Sequence, residues 1–110
     1  MPEMESVPKM SETRRNFLSQ ANTRMKEVRG MEKDIRRRMK TAPKDTCSEL
    51  ETWFENLESY LSQASVEIDM IVNATENTWA ERRERVDTFL GDAERELEVG
   101  YEILERPVKK

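Results

Sequence analysis

Histidine is absent from the 110 residues, and cysteine occurs once. The first absence removes the commonest general base and the commonest transition-metal ligand. The second excludes an intramolecular disulfide and a cysteine-based zinc site. Three glycines, at 30, 91 and 100, are too scattered for a phosphate-binding loop. No apolar run approaches the ~18 residues of a membrane span. The opening MPEMESVPKM carries Glu3 and Glu5 where a secretory leader has an apolar stretch. The expectation is a cytoplasmic protein with no catalytic site, no bound metal and no cofactor.

Apolar residues are scarce too, at 35% of the chain against 38% charged. Globular domains usually hold about 45–50% apolar residues, so a broad core is not expected. A helix needs only an apolar stripe, and stripes are what the chain supplies. Leu18, Ala21, Met25, Val28, Glu32, Ile35 and Met39 recur at alternating steps of three and four. Leu50, Phe54, Leu57, Leu61, Ala64, Ile68 and Ile71 repeat the pattern, as do Trp79, Arg83, Val86, Leu90, Ala93, Leu97, Gly100 and Leu104. Such steps put every member on one helical face, the seam of a coiled coil.

Pro43 cannot continue a helix and biases Ala42 away from helical geometry, which ends the first stretch. Thr46-Cys47-Ser48-Glu49 has the spacing of a capping box, with Asp45 as an alternative cap, so the second helix should begin there. In 73–78 poor helix formers cluster and the heptad phase slips. The segment reads as a turn, or as a stutter in one helix running from 47 to 105. The favoured fold is an all-α antiparallel three-helix coiled-coil bundle with helices near 11–40, 46–73 and 78–105. Residues 1–10 and 106–110 are assigned to tails. The alternative is a helical hairpin with one long second helix that dimerises.

Charge is segregated. Residues 1–40 hold 11 basic and 6 acidic side chains, 41–75 hold 1 and 7, and 76–110 hold 7 and 10, within a net charge of −4. A hairpin turning near Pro43 pairs positions that sum to about 86. Arg36 then faces Glu49, Lys33 faces Glu55, and Arg29 faces Glu58. Like charge should disfavour close pairing of helices two and three. Glu32 and Arg83 interrupt the seams; Arg83 either carries its charge out to water along its stem or pairs with Glu32 across the core and fixes register.

Four features are candidates for function. Arg36, Arg37, Arg38 and Lys40 form a basic run suited to phosphates, although the acidic chain repels polyanions at long range. A nucleic-acid partner is therefore not the first expectation. Trp79, Val86, Phe89, Leu90, Leu97, Tyr101 and Leu104 offer more apolar surface than one stripe buries, and mark helix three as an oligomer interface. Cys47 stands near Lys44 in a first helical turn, yet without a second cysteine or a histidine it reads as inert. Glu94 and Glu98 share a face but lack the histidines of helical di-metal sites. The expected role is a non-enzymatic interaction module, partnered by itself as a homodimer or by another helical protein. A lipid or granule surface is the alternative partner.

Overall fold

A computed structural model describes residues 10–106, which form three helices: α1 Glu12–Met39, α2 Lys44–Asn73 and α3 Trp79–Glu105. They pack as an all-α three-helix bundle. The expected tails at 1–9 and 107–110 lie outside the described residues. Met10 and Arg106, assigned to those tails, belong to the bundle: Met10 packs against the core, and Arg106 pairs with Glu49 at 2.9 Å.

Each helix boundary has a local cause. Ser11 caps α1, accepting a hydrogen bond from the Arg14 N–H at 3.1 Å in extended backbone geometry. Three arginines in the last turn complement the negative end of the helix dipole. The start of α2 corrects the expectation from the capping box. The helix begins at Lys44, Pro43 takes the cap position, and no side chain caps it. Proline's fixed φ and extended ψ already launch the chain into the helix, and the Cys47 N–H bonds to the Pro43 carbonyl at 3.0 Å. Thr46 therefore lies inside the first turn instead of capping it. Between α2 and α3 the chain turns. Ala74 is extended, and Thr75 and Thr78 bond each other through side chain and backbone, with the Trp79 N–H reaching the Thr75 carbonyl at 3.1 Å. Arg106 is extended, as a residue before proline prefers.

The core falls into two sections. Near the 39–44 connection, Val28 and Ile35 of α1 pack with Leu50, Trp53, Leu57 and Leu61 of α2 and with Ala93, Leu97 and Ile103 of α3. Near the 74–78 turn, Leu18 and Ala21 meet Ala64, Ile68 and Ile71, and Trp79, Val86 and Leu90. The closest packing is between α2 and α3, and the least is between α1 and α2. This reverses the ranking expected from charge. Small residues explain it, since Ala64, Ala93 and Gly100 are buried and permit close backbone approach. At Gly100 even a Cβ would lie 2.5 Å from the Trp53 ring. The Trp53 indole N–H finds its partner in the Glu96 carbonyl, so the ring is buried with its polar atom satisfied. The few arginines of α3 relieve the like charge: Arg82 and Arg85 pair with Glu67 at 3.0 and 3.8 Å.

Candidate functional site

The arginines of the basic run Arg36-Arg37-Arg38-Lys40 are engaged with carboxylates of their own helix. Consecutive residues on a helix point in different directions: Arg36 turns to Glu32, whereas Arg37 and Arg38 share Asp34. Arg36 lies over the Phe54 ring at 4.0 Å and reaches Glu32 at 3.5 Å. Arg37 pairs with Asp34. Arg38 reaches Asp34 at 3.6 Å and lies over Tyr101, whose hydroxyl donates to Asp34 at 3.0 Å. The Lys40 ammonium makes no ion pair among the described residues.

Of the three ion pairs expected between α1 and α2, Arg29–Glu58 forms at 3.0 Å. Arg36 turns to Glu32, and Glu49 turns to Arg106. Lys33 and Glu55 make no ion pair among the described residues. Glu32 and Arg83 do not meet either. Arg83 lies over Trp79 at 5.6 Å, while Glu32, 5% exposed, sits between Arg29 and Arg36 at 3.4 and 3.5 Å. Burial pushes the Glu32 carboxyl above its ordinary value, and Glu58 from α2 adds to the push against the two arginines. A hydrogen bond from Glu32, together with Arg29, holds Glu58 below its ordinary value.

The aromatic and aliphatic side chains proposed as an oligomer interface are mostly spent inside the chain. Trp79, Val86, Leu90 and Leu97 belong to the core, and Phe89, Tyr101 and Leu104 pack half-buried against it. The reason is that α3 faces both other helices, so both of its stripes are covered: Trp79 meets Phe17 of α1 at 6.0 Å between ring centroids, and Leu97 meets α2. Cys47 is half-buried, and its thiol faces the Met39 carbonyl at 3.3 Å, closing the end of α1. Arg24 holds Glu94 through two bonds of 2.9 Å, and that pairing keeps the Glu94 carboxyl below its ordinary value. No cluster of three His, Cys, Asp or Glu side chains is poised for a metal among the described residues. No described helix is long and apolar enough to cross a membrane.

Open surface lies elsewhere. Val66 and Met70 of α2, 51% and 42% exposed, stand one helical turn apart. They line an open groove of about 630 Å³ between α2 and α3, edged by Asp69, Asn73, Thr78 and Glu81. A second hollow, lined by Gln63 and Phe89 among others, shares Val66 and continues the groove along the helices. Periodicity already marks Val66 and Met70 as extra apolar residues beside the α2 seam. It does not reveal that α3 leaves them uncovered. On α1 another open hollow, of about 620 Å³, surrounds Gly30 and is lined by Asn22, Met25, Lys26, Arg29 and Lys33.

Comparison with protein-family models, with curated proteins and with solved structures finds no match to this chain.

Proposed function

We propose that the chain acts by binding and not by catalysis, as a helical module whose α2–α3 groove receives an amphipathic partner helix. The observation that carries this reading is the pair Val66 and Met70, apolar, adjacent and exposed in a groove whose polar rim holds Asp69 and Glu81, together with Arg82, whose charge is taken up by Glu67 at 3.0 Å. A helix lays apolar side chains spaced three and four apart into such a groove, and its polar face remains in water. Burial of the two side chains supplies ~25 cal/mol per Å² of apolar area removed from water. The carboxylates Asp69 and Glu81 at the rim favour a partner carrying lysine or arginine beside its apolar stripe. The arginines of the basic run are already engaged with Glu32 and Asp34, which favours this groove over the Arg36–Lys40 run as the recognition surface.

Titration of the full chain with a designed Leu/Lys amphipathic helical peptide tests the reading. The Met70 methyl resonance, assigned by comparison with Met70→Leu, should shift saturably. Val66→Asp should abolish the shift while leaving the helical circular-dichroism signal unchanged. A Met70 methyl indifferent to the peptide at millimolar concentration would overturn the proposal.

A further inference from the structure

We propose that the occupant of the α2–α3 groove is the Gly30 face of α1 from a second copy of this chain, so that copies associate head to tail. The inference rests on the groove being a helix-docking site and names what docks there.

The argument starts at Gly30. Glycine in a helix interior costs about 1 kcal/mol relative to alanine. Nothing lies within 4 Å of the position a Gly30 Cβ would take, so packing inside the chain does not call for glycine there. What the missing side chain leaves is a hollow with Met25 among its lining and Lys26 and Lys33 at its edge. Gly91 is equally open but lines none of the grooves described above.

The two surfaces are complementary in shape. The groove presents Val66 and Met70 as exposed apolar knobs. The α1 face presents a depression where its side-chain layer is interrupted, which is what knobs of that size require. They are complementary in charge as well. Lys26 and Lys33 make no ion pair among the described residues, and neither do Asp69 and Glu81. The lysines stand two turns apart, about 10 Å along the axis, and flank Gly30. The segregation visible in the sequence, basic in 1–40 and acidic beyond, is thus only partly neutralised within one chain. One face of α1 keeps Lys26 and Lys33 unpaired among the described residues, and the groove keeps Asp69 and Glu81, its cation, Arg82, being held by Glu67.

The hollow is lined by α1 alone, and the groove by α2, α3 and the turn that joins them. The contact joins two different patches, so it is heterologous. Each copy added presents a fresh hollow and a fresh groove, and assembly passes beyond a dimer or closes as a ring.

Sedimentation velocity of the full chain, from micromolar to millimolar and at low and high salt, tests the proposal. The average mass should rise with concentration at low salt, pass that of two chains, and fall back as salt screens the lysine–carboxylate pairs. Lys26→Glu with Lys33→Glu should weaken association about tenfold or more, as should Asp69→Lys with Glu81→Lys. An equimolar mixture of the two variants should associate again, because each supplies the charge that the other lacks. Gly30→Gln fills the hollow without touching the fold and should abolish association while the helical signal holds or rises. A single-chain mass for the wild type at every concentration would sink the inference, and so would a mixture that fails to recover association. A monomeric chain whose Met70 methyl still responds to the Leu/Lys peptide would remove the second copy and leave the groove standing. Undiminished association of the Asp69→Lys, Glu81→Lys variant would place the contact between copies elsewhere and overturn the inference, and a Met70 methyl indifferent to the peptide would remove the groove itself.

Discussion

Arg14, in the first turn of α1, places its Nη2 atom 2.7 Å from the carbonyl oxygen of Ile71, in the last turn of α2. The same nitrogen lies within hydrogen-bond distance of the Val72 and Ala74 carbonyls, at 3.0 and 2.6 Å, and Nη1 reaches Glu76 at 3.4 Å. The last carbonyls of a helix have no intrahelical donor, and α2 has no basic residue in its own last turn. Arg14 supplies both the donors and the positive charge from another helix, at 5% exposure. Glu76 completes the lock by accepting the Ser11 N–H at 2.9 Å, and this bond with Arg14 nearby keeps its carboxyl below the ordinary value.

Arg14→Met should therefore lower stability by about 2–3 kcal/mol, because it strips buried carbonyls of a charged donor. Arg14→Lys should recover part of the loss, since an ammonium carries the charge but not the planar fork. Urea denaturation of the three chains measures the order. Equal midpoints for Arg14→Met and the wild type would show that water satisfies the end of α2 unaided.

Gly100 and Gly91 should respond oppositely to alanine. Both lie within α3, so each substitution gains about 1 kcal/mol of helix propensity. At Gly91 the Cβ meets nothing within 4 Å, and Gly91→Ala should raise stability by about 0.5–1 kcal/mol. At Gly100 it meets two carbons of the Trp53 ring at 2.5 and 2.6 Å and Ile35 at 3.0 Å. The ring is held by the Glu96 carbonyl and cannot give way freely, so overpacking should dominate and Gly100→Ala should lose about 1–3 kcal/mol. Trp53 fluorescence should shift in that variant alone.

Glu32 should make the fold more stable towards acid over part of the carboxylate range. Its folded-state value is raised, by burial first and by Glu58 second. A raised carboxyl contributes stability that is complete below its unfolded value and is lost as pH rises through its folded value. Glu58, lowered by the hydrogen bond from Glu32 and by Arg29, acts in the opposite sense: its contribution is present above its unfolded value and is lost as pH falls. Glu32→Gln keeps the shape and removes the buried charge, so it should raise the urea midpoint at pH 7. It should also flatten the decline in stability above the ordinary carboxylate range. A variant less stable than the wild type at pH 7 would mean that Arg29 and Arg36 outweigh the burial.

The seams were legible because alternating steps of three and four have no other compact reading, and most residues at those steps are buried, with Arg83 the exposed exception. The turn at 73–78 was legible as a cluster of poor helix formers, and the α1–α2 register as a charge pattern, realised in Arg29 and Glu58. Arg14 was not legible, because nothing local distinguishes it from Arg15, and its partners lie nearly sixty residues away. The close packing of α2 on α3 was hidden for a related reason. A glycine at a seam position looks like a weakness until the Trp53 ring is seen against it. The cover over α3 was not legible because counting apolar residues does not say how many neighbours a helix has.

The Arg29–Glu58 pair makes the last prediction a small one. Both side chains are more than two-fifths exposed, at 43% and 41%, so water screens their attraction. An exposed pair contributes ~0–1 kcal/mol. A double-mutant cycle of Arg29→Ala and Glu58→Ala should return a coupling energy within that range, smaller at high salt. Arg29 also touches Glu32 at 3.4 Å, so the Arg29→Ala chain leaves a buried carboxylate with Arg36 alone. That single variant should therefore lose more stability than the coupling energy accounts for, and lose it chiefly above the ordinary carboxylate range, where Glu32 is charged. Repeating the cycle in the Glu32→Gln background separates the two effects. The extra loss should disappear while the Arg29–Glu58 coupling persists. Survival of the extra loss in that background would place the role of Arg29 in packing against α2 and not in charge.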